Sequence, residues 1–119
     1  MKKKPSLVID FDGVICEHRF PDVGDPTEGV QEALETLKKA SYRIVIHSCR
    51  TSFKFKNLLI GDQFDRIKEY MKYYKLPFDD VWVPDKPIGV AYIDDKAMNF
   101  KNNWGDITEK LISKSRKFK

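Results

Sequence analysis

Short aliphatic runs in this chain end, one after another, in charged or hydroxyl-bearing residues. LVID leads into Phe11 and Asp12, RIVIH into Ser48-Cys49-Arg50, VWV into Pro84-Asp85-Lys86, and VAYI into Asp94-Asp95. Runs of three or four apolar residues bounded by turn residues read as strands buried on both faces. Between them the apolar residues fall at intervals of three and four, the helical period. After the first run, Asp25 is placed to cap a helix with Pro26 at its first position and Glu28 as capping-box partner; Val30, Ala33, Leu34 and Leu37 make its buried stripe. A second helix is expected from about Asp62 to Lys75, with Phe64, Ile67, Met71 and Tyr74 on one face and Pro77 ending it. Strands are expected at 7–11, Arg43 to His47, Val81 to Val83 and Val90 to Ile93, and a last helix from about Asp106 to Lys114 with Ile107, Leu111 and Ile112 inward. The stretch TSFKFKNLLIGD has no clear period.

Strands alternating with helices imply βαβ units, hence a central parallel sheet in a three-layer α/β/α, Rossmann-like arrangement. With 119 residues the chain is sized for one domain, 1–119. Its 41% hydrophobic and 34% charged residues exclude a disordered or fibrous protein. No apolar run approaches the roughly 20 residues that span a bilayer, and the basic start MKKKPS carries no cleavage-site pattern, so a cytoplasmic protein without a membrane partner is expected. Two cysteines, Cys16 and Cys49, make neither a disulfide framework nor a zinc site and read as small buried hydrophobes. The net charge of +4 suits an anionic partner, but much of the excess sits in terminal lysines.

In parallel α/β sheets, ligands bind beyond the carboxyl ends of the strands. Asp10 and Asp12 emerge there, two residues apart, with Gly13 permitting a tight turn. Paired carboxylates repel unless a divalent cation or a substrate uses them. Ser48 offers a hydroxyl for a phosphate oxygen, Cys49 follows it, and Arg50 carries a planar fork suited to phosphate. Lys86 precedes the last strand, which ends in the second acidic pair, Asp94-Asp95. His18 and His47 read as ordinary polar groups, and Trp82, Trp104, Tyr70, Tyr73 and Tyr74 as core or helix surface, with base stacking the lesser alternative for these aromatics.

DFDGV, IHS, Lys86 and IDD, each at a strand end and in this order, resemble the four sequential motifs of the haloacid dehalogenase (HAD) superfamily over about Leu7 to Phe100. The resemblance implies a Mg²⁺-dependent phosphatase in which Asp10 attacks phosphorus to form an aspartyl-phosphate and Asp12 serves as acid, then base. It implies Mg²⁺ held by Asp10, the Asp12 carbonyl, Asp94 and Asp95, and a phosphoryl group bound by Ser48 and Lys86. The aspartate at position 12 favours phosphate esters over carbon–halogen or carbon–phosphorus bonds; Val14 stands where threonine is frequent. SCR resembles the serine-x-arginine of the polynucleotide 3′-phosphatase branch and of some small sugar-phosphate-like members, which makes Arg50 a candidate substrate contact, with an ordinary salt bridge as the alternative. His18, Arg19 and Phe20 fall where the superfamily has a flap over its site.

Neither the Val14–Ser48 nor the Arg50–Lys86 interval has room for a cap domain, so an open site is expected. Such a site suits a large substrate such as a nucleic acid or polysaccharide end, or capping by a neighbouring subunit in a homo-oligomer; the expected partner is a phosphorylated substrate, whether a sugar, a nucleotide or a polynucleotide end. Two other readings stay open. A receiver-like phosphorylatable switch shares the acidic pair, hydroxyl and lysine, but in a different order along the chain. A catalytically silent HAD-like binding protein is the other.

Overall fold

The computed structural model describes residues 4–51, 62–82, 91–93 and 101–115. Its elements run β1 (Ser6–Asp10), α1 (Val30–Lys39), β2 (Arg43–His47), a 3₁₀ turn (Cys49–Thr51), α2 (Gln63–Tyr73), β3 (Asp80–Trp82), β4 (Ala91–Ile93) and α3 (Trp104–Ser115). The strands form one parallel sheet in the order β3-β2-β1-β4. Its register sets Asp10 beside His47, His47 beside Trp82, and Ile9 beside Ile93. Lys86, Asp94 and Asp95, like Val83 and Val90, lie outside the described residues.

Successive strand residues point to opposite faces. Leu7, Ile9, Ile44, Ile46 and Ile93 share one cluster with Val30, Leu34 and Leu37 of α1, Ile67 and Met71 of α2, and Ile107 and Leu111 of α3. Parallel crossovers are right-handed almost without exception, and two taken in the same direction, β1 to β2 and β2 to β3, bring α1 and α2 to the same side. Val8 and Val45, which alternate with these residues, are buried outside that cluster. The described helices thus build the layer on one side of the sheet.

The apolar stripes lie where their period requires, with Phe64 only partly buried, Tyr74 exposed and Ile112 half-buried. Asp62 caps α2, accepting from the backbone N–H groups of Phe64 and Asp65 at 2.9 and 3.3 Å. Both α1 and α2 end in a left-handed residue, Ser41 (φ 70) and Lys75 (φ 56), followed by a buried one, Tyr42 and Leu76. The N–H groups of Tyr42 and Leu76 reach back to the carbonyls of Leu37 and Met71, closing both helices with the Schellman pattern.

One expected helix start is corrected. Asp25, Pro26 and Glu28 do not open α1; it begins at Val30 after Gly29, whose φ is 81°. The backbone from 25 to 27 is already committed, because the Asp25 carbonyl accepts from Glu17 N–H at 2.8 Å and Thr27 N–H donates to Ile15 at 2.9 Å. A long-range hairpin thereby outcompetes the local capping signal.

Candidate functional site

The carboxyl end of β1 runs into a tight loop. Ile15 and Cys16 N–H groups donate to the Phe11 carbonyl, Gly13 (φ 86) donates to Cys16 at 2.8 Å, and Val14, Ile15 and Cys16 are buried. From this root the flap, 17–25, rises as a hairpin. Gly24 closes its base, since a Cβ there would stand 2.2 Å from the Glu17 carbonyl oxygen. The Thr27 hydroxyl donates to Val14 at 2.7 Å and accepts from Trp104 Nε1 at 3.1 Å, and the Tyr70 hydroxyl donates to Gly24 at 2.8 Å. The loop and flap are therefore anchored to both α3 and α2.

Asp10 ends β1 with its side chain 28% exposed, and His47 Nδ1 lies 3.3 Å from its Oδ1. From sequence alone His47 reads as an ordinary polar group. The signal was present in the parallel pairing, because the last residues of two neighbouring strands stand side by side.

Asp12 is held by Arg50. Nε donates to Oδ2 at 2.8 Å and Nη2 to Oδ1 at 2.7 Å, the bidentate geometry that suits guanidinium and carboxylate. The same guanidinium donates to the flap carbonyls of Pro21 and Asp22 at 2.9 and 2.6 Å and lies over the Phe20 ring at 4.9 Å. Arg50 is only 3% exposed. Expected as a substrate contact, Arg50 here joins Asp12 to the hairpin.

Ser48 is buried at the end of β2, and its Oγ accepts from the Arg50 N–H at 3.1 Å, which leaves its own O–H as the donor. The Ser48 carbonyl accepts from the Thr51 hydroxyl at 2.9 Å, fixing the turn. Cys16 is buried as expected, but Cys49 is exposed. Local 3₁₀ geometry turns Cys49 outward while burying Arg50. Partial desolvation and the neighbouring Asp12 charge push the Cys49 thiol above its ordinary pKa, against the pull of Arg50. For Cys16, burial and then Asp12 push the thiol up to about 11.

Asp10, Asp12, Ser48, Cys49, Arg50 and His47 thus meet at one edge of the sheet. Among the described residues no group of three or more His, Cys, Asp or Glu side chains is arranged to hold a metal. A groove of about 290 Å³ adjoins this edge, between the flap at Val23 and the tyrosine-bearing face of α2, with Phe11 and Arg50 on its inner wall.

Fold and site together define a small parallel α/β protein with an acidic pair at the carboxyl edge of its sheet. Its fold is shared with a conserved protein of Bacteroides thetaiotaomicron, at a TM-score of 0.73 and 24% identity over 94% of this chain and 93% of that one. A crystal structure from Vibrio cholerae is similar at a TM-score of 0.60 and 20% identity, over 92% and 98% of the two chains. No family model matches the sequence, and no curated protein does. Among the described residues no helix is long and apolar enough to cross a membrane.

Proposed function

We propose that the chain is a Mg²⁺-dependent, HAD-like phosphatase that hydrolyses a phosphate monoester through an aspartyl-phosphate on Asp10. The observation that carries this reading is the strand-end set: a partly exposed carboxylate on Asp10, a second on Asp12 held in a fixed orientation, and the Ser48 hydroxyl on the neighbouring strand. A Rossmann-like, cap-less architecture goes with it, supported by the stretch from Val14 to Ser48, which consists of the flap, α1 and β2.

In this mechanism an Asp10 oxygen attacks phosphorus as the ester P–O bond breaks, and the leaving oxygen takes a proton from Asp12. Asp12 then removes a proton from water, which attacks the aspartyl-phosphate, releases inorganic phosphate and regenerates Asp10. Proton transfer at Asp12 requires one of its two contacts with Arg50 to open, while the other keeps the carboxyl aimed. Ser48 donates to a phosphoryl oxygen, and Lys86 is the expected second donor. The donor chemistry fits a hard cation: Asp10 is partly exposed, and the Asp12 carbonyl accepts no hydrogen bond among the described residues. Asp94 and Asp95 would complete the set. When bound, Mg²⁺ offsets the charge of the carboxylates and the phosphoryl group.

The test is Asp10→Asn, assayed on p-nitrophenyl phosphate with Mg²⁺. Turnover is expected to fall to background with an unchanged melting temperature; wild-type turnover by this variant would overturn the mechanism.

A further inference from the structure

The groove beside the acidic pair is lined by aromatic rings. α2 and its C-cap residue line it with Tyr70, Tyr73 and Tyr74, one ring after another: Tyr70 and Tyr74 centroids are 4.7 Å apart, Tyr73 and Tyr74 4.8 Å, and Tyr70 meets Phe11 edge-on at 5.1 Å. Among the described residues, the hydroxyl of Tyr70 anchors its ring by donating to the Gly24 carbonyl. Tyr73 is 78% exposed, a large aromatic surface left in water. Exposed aromatic surface lining a concavity, with a few polar groups beside it, marks a ligand site more often than a bare surface. Here those polar groups are Arg66 and Glu69, one donor and one acceptor, both exposed and both lining the groove. The inner wall is Phe11, which stands between Asp10 and Asp12 in the chain, and Arg50, which holds Asp12.

We infer that this groove binds a nucleobase, so that the phosphate ester presented to Asp10 is that of a nucleotide or a polynucleotide end. Substrate assignment rests on the phosphatase reading above; binding of the base does not. Aromatic side chains stack on any base, and base stacking tolerates sequence variation for that reason. Arg66 and Glu69 match the mixed donor and acceptor edge of a base. The volume of about 290 Å³ is enough for one ring system.

Binding is measured calorimetrically on the wild-type protein with metal chelated, so that no turnover intervenes, using adenosine 5′-monophosphate and ribose 5-phosphate as probes. The nucleotide is expected to bind at least tenfold more tightly. Tyr73→Ala should weaken it about tenfold without changing ribose 5-phosphate binding, and Tyr73→Phe, which keeps the ring, should bind as wild type. Equal affinity for the two probes, nucleotide binding indifferent to Tyr73→Ala, or tighter binding of a neutral oligosaccharide such as cellotetraose would overturn the inference. Nucleotide selectivity without p-nitrophenyl phosphate hydrolysis would remove the phosphatase reading and leave the base site standing.

Discussion

Arg50 grips Asp12 at two points, Nε to Oδ2 at 2.8 Å and Nη2 to Oδ1 at 2.7 Å, and with its remaining reach holds the flap through Pro21 and Asp22. One buried side chain therefore couples the second carboxylate of the site to the segment that overhangs it. Removing it leaves Asp12, 11% exposed, without its cation and two flap carbonyls without donors. Breaking one partner of a buried pair costs about 3 to 5 kcal/mol. Arg50→Ala is expected to lose stability on that scale in denaturant melts. It should also lose turnover equally on p-nitrophenyl phosphate and on larger phosphate esters. A loss confined to large substrates would make Arg50 a distal substrate contact instead. Arg50→Lys keeps the charge but not the fork, and should recover only part of the stability.

Ligands that bind the native state alone raise its stability by mass action. Beryllofluoride with Mg²⁺ is expected to raise the melting temperature of the wild type and to leave Asp10→Asn unmoved, and chelation should reverse the gain. A melting temperature indifferent to both additions would favour a silent binding protein over a phosphatase.

Asp79 supplies a pH dependence away from the site. Burial pushes its carboxyl up, but hydrogen bonds from Lys38, at 2.6 and 2.7 Å, and from the Ile44 N–H, at 2.6 Å, outweigh this and hold it below its ordinary 3.8. A folded-state value below the unfolded one contributes stability above the unfolded value, and that stability is lost as pH falls through the folded one. The melting-temperature gap between wild type and Asp79→Asn is therefore expected to be widest at neutral pH and to close below pH 3.8. A constant gap from neutral to acid would show that the carboxylate's charge is not what Lys38 and Ile44 stabilise.

Cys49 is exposed beside Ser48 and Arg50, yet its thiol is pushed above its ordinary pKa, and the thiolate is the reactive form. Iodoacetamide should label it more slowly than free cysteine at neutral pH, and faster as pH rises. Cys16, buried and at about 11, should label only on unfolding. Mg²⁺ with beryllofluoride should protect Cys49, and unprotected labelling in their presence would separate Cys49 from the phosphoryl site.

Local chemistry in the sequence determined the strands and the helical stripes. RIVIH is β2 residue for residue, and Val30, Ala33, Leu34, Leu37, Ile67, Met71, Ile107 and Leu111 are buried as their spacing dictates, because side-chain period and apolarity are properties of neighbours along the chain. It also marked Asp10, Asp12, Ser48 and Arg50 as strand-end residues. Tertiary structure decided what those residues touch. Asp25 through Glu28 carry a good capping signal, but pairing with the flap root takes their backbone groups first. Arg50 has a fork that suits phosphate and Asp12 alike; only the fold, by bringing positions 12, 21, 22 and 50 together, gives the fork to the carboxylate and the carbonyls. His47 meets Asp10 because β1 and β2 pair in parallel, and Tyr73 becomes part of a groove wall because the flap stands opposite α2. Apart from the flap-root pairing, those contacts join residues tens of positions apart, and pairing over such distances is set by the register and packing of the whole sheet rather than by any window of sequence.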